Sequence, residues 1–113
     1  MVYDTAKQLA REMQKSEEFI AYENARALAM ENETTSALID EYHRLQIRAQ
    51  AATVAGERND ELMQRLQKVG ELLQFDAAAA AYLIAEFRIN RMLADVYKTL
   101  AEAVGIDLGS LEN

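Results

Sequence analysis

Proline and cysteine are absent from this 113-residue chain, and glycine occurs four times. Without cysteine there can be no disulfide and no thiolate metal site. A chain so short of turn-forming residues is poorly suited to sheets, whose hairpins favour Gly, Pro and Asn-Gly pairs. No run shows strand alternation, and the expected fold class is all-α. No apolar run approaches the roughly 20 residues of a membrane span. The opening MVYDTAKQLAREM lacks the apolar centre of a signal peptide. Positive charge is also in deficit: 12 Lys and Arg against 19 Asp and Glu give a net charge of −7. That balance opposes binding to nucleic acid, where affinity comes from cations neutralising phosphates, and to an anionic membrane surface. Half the residues are hydrophobic and 27% are charged, a globular balance. Length fits one domain, expected over residues 1–105, with 106–113 (IDLGSLEN) as a flexible tail. A soluble protein of the cytoplasm that meets other proteins is the default expectation.

What the chain has in quantity is helix. From Asp76 to Val104 it reads DAAAAAYLIAEFRINRMLADVYKTLAEAV, with no Gly or Pro. Five alanines after Asp76 favour helix because Ala loses no side-chain entropy. Such a helix would extend roughly 43 Å. Its apolar residues fall on two tracks. One carries Leu83, Leu93, Tyr97, Leu100 and Val104; the other carries Tyr82, Ile89, Val96 and Ala103, and Phe87 and Met92 widen the surface. A stripe this wide needs partners on more than one side, which puts the helix at the centre of an assembly.

Four more helices precede it. The first, over about 2–14, places Val2, Tyr3, Ala6, Leu9, Ala10 and Met13 on one face. Ser16, followed by Glu17 and Glu18, reads as an N-cap for a second helix over about 17–31. A continuous helix through Ser16 is the alternative; the cap favours the break. Phe19, Tyr22, Ala25, Leu28 and Ala29 form the apolar side of this second helix, with Ile20 off the stripe. Asn32 or Thr34 caps a third helix reaching about Ala55, on which Leu38, Tyr42, Leu45, Ala49 and Ala52 make a coiled-coil seam. Gly56 ends it, and Asn59 caps a fourth over about 60–74, where Leu62, Leu66, Val69 and Leu73 repeat the spacing. The short link makes these two an antiparallel hairpin. Gly70 should weaken its second arm by roughly 1 kcal/mol relative to Ala. Asp76 caps the long helix and Gly105 stops it.

The order of these pieces resembles the YlbF/YmcA family of small helical bacterial proteins, in particular its YheA-like branch. Ser16, Glu17, Glu18, Phe19, Tyr22 and Ala25 are similar to the family's Ser-Glu-Glu-aromatic stretch. The Leu- and Gln-rich hairpin follows. Tyr82, Leu83, Ala85, Glu86 and Asn90 are similar to its Tyr-Leu-x-Ala-Glu-x-x-x-Asn pattern. The likeness runs from about residue 2 to 104. One departure is that Asp76-Ala77 stands where the family usually has Asn-Pro; Pro in the first turn is optional, so the cap can survive. The resemblance implies a regulatory adaptor of competence, sporulation or biofilm control. Some members work with a YaaT-like partner on RNA processing by a membrane-anchored ribonuclease, in complexes holding iron–sulfur clusters on cysteines. This chain has no cysteine to offer such a cluster, and no cofactor is expected.

Sharper chemistry finds little support in the residues. His43, the only histidine, follows Asp40 by three, half of a carboxylate-x-x-His motif; a di-iron bundle needs two such motifs and further carboxylates. Glu86 and Asn90 lie four apart beside the Leu83–Leu93 track. They read either as a buried polar contact fixing register or partner choice or as rim residues pairing with Arg88, Arg91 or water. Arg44 and Arg48 are the densest basic pair, too few to hold a dicarboxylate substrate in a mutase-type site. No catalytic triad, phosphate loop or zinc spacing is present. No catalytic or metal residue is therefore assigned, and no small-molecule substrate is expected. Apolar surface in excess of what one small chain buries implies a homodimer or higher oligomer. The interface candidates are Leu38, Tyr42, Leu45, Leu62, Leu66, Val69, Tyr82, Glu86, Ile89, Asn90, Leu93 and Tyr97. The expected function is a non-enzymatic interaction adaptor, working on itself, on related helical proteins or on a YaaT-like protein. A self-assembling structural protein, or a small helical mutase, is the alternative.

Overall fold

Polar side chains at the helix starts and glycines at two of the ends set the element boundaries. The structure, a computed structural model, describes residues 1–106, which form α1 (Val2–Gln14), α2 (Glu17–Met30), α3 (Glu33–Val54), α4 (Asp60–Gln74) and α5 (Ala77–Val104). No strand occurs among the described residues, and the fold is all-α. Most of the expected tail, 107–113, lies outside them.

Ser16 separates α1 from α2. Its hydroxyl oxygen accepts from the Phe19 amide at 3.1 Å and its proton goes to the Met13 carbonyl at 2.6 Å, so one side chain closes one helix and opens the next. At the third helix the choice between Asn32 and Thr34 falls to Asn32, which accepts from the Thr35 amide at 3.1 Å. Asn59 caps α4 through the Leu62 amide at 3.0 Å. Asp76 caps α5 through the amides of Ala78 and Ala79 at 3.1 and 3.2 Å. After α3 the chain turns at Gly56, φ +72°, and the Glu57 amide donates to the Ala52 carbonyl at 2.8 Å. After α5, Gly105 at φ +74° does the same, with the Ile106 amide on the Ala101 carbonyl at 3.0 Å. Both are left-handed glycine terminations that satisfy carbonyls the helix leaves open.

Two helix pairs result. α2 lies along α5, and α3 folds back on α4 as a hairpin; α4 and, more sparsely, α3 join the hairpin to α5, while α1 touches little but α2. The core sits where the pairs meet. Ile39, Val69, Leu73, Ala29 and Ala79 are fully or almost fully buried there, with Leu45, Leu62 and Tyr82 beside them. The expected hairpin seam is in place: Leu38, Tyr42, Ala49, Ala52 and Leu66 pack partly buried against that core. Gly70 faces the other arm of the hairpin, where an added Cβ would meet the Tyr42 ring at 3.4 Å, ordinary van der Waals contact.

The molecule is flat, 47 × 37 × 15 Å, with a radius of gyration of 17.0 Å. A compact domain of this length would have about 13 Å, and a single helix with side chains is about 10–12 Å thick. So thin a layer covers few helices on both sides, and two expectations from the sequence change accordingly. α1 presents an apolar face but buries none of it: Val2 and Tyr3 are about four-fifths exposed, and only Leu9 and Met13 are partly covered. Leu28, placed on the apolar side of α2, is 59% exposed, because Tyr22, Ala25 and Ala29 form the covered stripe.

Candidate interaction surface

α5 is enclosed over its first half only. Ala79, Tyr82 and Ala85 are buried, and Leu83, Glu86 and Ile89 are half-buried. Its two apolar tracks then part. The track of Tyr82, Ile89 and Val96 is covered at least in part by the chain itself. The other emerges: Leu93, Tyr97, Leu100 and Val104 are all exposed, with Phe87 and Ile84 beyond them. The expectation that α5 lies at the centre of an assembly therefore holds within the chain for its N-terminal half alone. From Leu93 onward, about 11 residues of helix or some 17 Å, the emerging track stands exposed, while Val96 and Ala101 keep partial cover.

At the boundary between the two halves sits a polar cluster. Glu86 accepts from the Tyr82 hydroxyl at 2.9 Å and from His43 Nε2 at 2.9–3.0 Å. The rim reading paired Glu86 with Arg88, Arg91 or water; its partners are instead a tyrosine one turn back and a histidine from α3. The side chain of His43 is 31% exposed and that of Glu86 22%. Tyr22 of α2 stacks at a tilt on Tyr82, ring centroids 5.6 Å apart, and His43 approaches Tyr82 at 6.0 Å. Burial, then the neighbouring Tyr22 and Glu86, push the Tyr82 phenol well above the usual tyrosine range. The carboxylate thus ties α5 to α3, and the Tyr22–Tyr82 ring contact brings in α2. Among the described residues no buried side-chain nitrogen or oxygen lacks a partner.

Just past this cluster α3 and α5 diverge around an open cleft of about 580 Å³, lined by His43, Gln46, Ile47 and Gln50 on one wall and Glu86 and Asn90 on the other. Asn90 is exposed and makes no side-chain hydrogen bond among the described residues. Arg44 and Arg48 stand exposed on α3. No group of three or more His, Cys, Asp or Glu able to hold a metal occurs among the described residues, and no helix there is long and apolar enough to cross a membrane.

The twelve interface candidates divide by position. Leu45, Leu62, Val69 and Tyr82 are buried inside the chain and serve its own helix contacts. Leu38, Tyr42, Leu66, Glu86 and Ile89 are partly covered by it. Asn90, Leu93 and Tyr97 are exposed on α5. Leu100, Val104 and Phe87, exposed apolar residues on the same helix, were not among the candidates.

This fold has relatives. The family described as "Control of competence regulator ComK, YlbF/YmcA" matches residues 2–105. A UPF0342 protein of Halothermothrix orenii is 31% identical, over 99% of this chain and 94% of its own length. Another, from Symbiobacterium thermophilum, is 33% identical over 95% and 96%. Among solved structures, a protein of unknown function from Bacillus stearothermophilus superposes with a TM-score of 0.76 at 19% identity, covering 92% of each chain. Bacillus subtilis RicA, solved in complex with RicF, superposes at 0.61 and 20% identity over 92% and 93%. The two structures share the fold of these five helices, and with the match along almost the whole sequence the chain belongs to the YlbF/YmcA family.

Proposed function

We propose that this protein is a non-enzymatic adaptor that acts by helix–helix contact, with the exposed C-terminal half of α5 as its binding face. The carrying observation is the run of Leu93, Tyr97, Leu100 and Val104, all at least 40% exposed on one track of a well-formed helix. A contiguous apolar strip on a small protein favours a protein interface, and a flat molecule leaves room for a partner to complete the missing layer. Family membership supports a regulatory role in competence control. That RicA was solved in complex with RicF supports a protein partner; a second copy of this chain, a related helical protein or a YaaT-like protein are the partners the family resemblance implies. The exposed Arg44 and Arg48 give no support to a mutase-type site.

The test is light scattering on the purified chain across a wide concentration range, alone and mixed with the other YlbF/YmcA-type proteins of its organism. A defined dimer, or a defined complex with one of them, is expected. A chain that stays monomeric throughout and co-elutes with none of them would overturn the reading.

A further inference from the structure

The face that α5 turns toward its own chain does not end where the cover ends. Ala79, Tyr82 and Glu86 lie on that face and are buried or half-buried. The same face continues through Asn90, Leu93, Tyr97, Leu100 and Val104, at steps of four, three, four, three and four from Glu86. This is the repeat of a coiled-coil seam. Its last four members are 40–68% exposed. The residues flanking them are Ala94 and Ala101 on one side and Val96 and Ala103 on the other, where a two-helix coiled coil carries charge. Arg91, Asp95, Lys98 and Glu102 stand on the far side of the helix. A seam with apolar flanks is wide enough to need more than one helix against it.

A second uncovered wall stands beside this seam. α3 and α5 run in the same direction, since Thr35 bonds Asp76 near the start of both and His43 bonds Glu86 further along. Past His43 they part. Ile47 and Gln50 line the cleft toward α5, and they also line an adjoining apolar hollow with Ala51, Val54 and Ala55. Ile47, Ala51 and Val54 are exposed. The cleft is therefore a wedge, closed at the His43–Glu86 pair and open toward the C-terminal end of α5, with an apolar stripe on each wall.

Two features select a second copy of this chain as the occupant. The first is charge. The chain carries −7 overall, yet from Phe87 to Val104 it holds three basic and two acidic residues. This half of α5 takes no part in the negative excess that would keep two copies apart. The second is the seam itself. Laid antiparallel on its own copy, it sets Leu93 against the partner's Val104 and Tyr97 against the partner's Leu100, and each contact occurs twice. A wedge open only at that end admits a second wedge mouth to mouth, which makes the two α5 helices antiparallel. A seam of some 17 Å along one helix is short for the roughly 800 Å² per partner of a stable dimer. The α3 wall adds a second helix contact to each copy and covers a flank of the incoming α5.

We propose that two copies of the chain interlock, the distal half of each α5 lying antiparallel in the other's α3–α5 cleft, so that the distal halves of α3 and α5 from both copies form a four-helix bundle. This rests on the distal half of α5 being the binding face proposed above, and adds its occupant, its orientation and α3 as its second wall.

The absence of cysteine makes any introduced thiol unique. Leu93→Cys and Val104→Cys, both at exposed positions, are made in separate chains, mixed, oxidised and read on a non-reducing gel. A disulfide needs Cα atoms within about 7 Å. In the interlocked pair Leu93 faces the partner's Val104, while the two Leu93 positions lie some 17 Å apart. The mixture should yield a covalent dimer and neither chain alone should. Leu93→Cys cross-linked to itself would mean a parallel pair and overturn the proposal. A mixture that gives no covalent dimer would overturn it too. In that event a complex with another protein that Leu93→Asp/Leu100→Asp abolishes would leave the binding face standing with a different occupant, and the lack of any such complex would remove the face as well. Ile47→Asp tests the α3 wall. Helicity by circular dichroism should be retained while the mass by light scattering falls from dimer to monomer; an unchanged dimer would overturn the interlock.

Discussion

The Thr35 hydroxyl donates to the carboxylate of Asp76, 41 residues away in sequence, and the same carboxylate caps α5 through the Ala78 and Ala79 amides. One aspartate thereby starts the longest helix and fastens it to the base of α3. The Thr35 bond, then the Ala79 amide, hold the carboxyl below the ordinary aspartate value of 3.8, against an opposing effect of burial that outweighs the Ala78 amide alone. A depressed carboxyl contributes stability that is present above that value and is lost as pH falls through the lower folded-state one. Urea unfolding from pH 5 downward should show this acid limb. Asp76→Asn, which keeps a capping oxygen, should flatten it, whereas Asp76→Ala should lower stability at every pH.

Tyr82 gives the opposite limb. Its phenol is 4% exposed as a residue and donates to Glu86 at 2.9 Å. Because the folded state holds the phenol protonated beyond the ordinary value of 10.0, the stability this neutrality carries is complete below that pH and fades as alkali rises through the folded-state value. Tyr82→Phe should remove that alkaline dependence and cost about 1 kcal/mol near neutrality, the usual net worth of one hydrogen bond. Thermal melts at pH 7 and pH 10.5 separate the two effects.

Gly70 can be improved. Its φ is ordinary for a helix, and an added Cβ would sit 3.4 Å from Tyr42 Cε1, at van der Waals distance from a ring edge. Helix propensity favours Ala over Gly by about 0.8–1 kcal/mol. Gly70→Ala should therefore raise the midpoint of chemical unfolding. A lowered midpoint would mean that the Tyr42 ring has no room to give and that glycine is there for packing.

The helix ends were legible because each is written in local chemistry: Ser16, Asn32, Asn59 and Asp76 accept amide protons within their own first turns, and Gly56 and Gly105 take the left-handed backbone that ends a helix. The hairpin seam was legible for a similar reason, since its two arms repeat the same spacing. What lies between the helix pairs was not. Ile39 stands one position off the seam of Leu38, Tyr42 and Leu45, yet it joins the buried cluster that holds Ala29 and Ala79. The partner of Glu86 could not be read from α5, because His43 is 43 residues distant and belongs to another helix. Periodicity also cannot tell which of two apolar tracks a chain covers for itself. That depended on the flatness of the molecule, a property of how the pairs meet rather than of any one helix.

Covered and uncovered leucines predict opposite consequences when they are substituted. Leu73 on α4 is fully buried in the shared core, and Leu73→Ala should destabilise the fold by about 2–5 kcal/mol through lost contacts and the cavity left behind. Leu100 is 53% exposed and Leu93 40% exposed on the uncovered track. Replacing both with Asp removes apolar surface that the isolated chain leaves in water, so the folded monomer should lose little. If that track is the binding face, the charge must instead be desolvated in any complex, at a cost that few interfaces absorb. Leu93→Asp/Leu100→Asp should then keep full helicity while the species seen by light scattering falls to the monomer mass. A variant that retains its assembly would move the interface elsewhere, with the uncovered face of α1, led by Val2 and Tyr3, as the next surface to substitute.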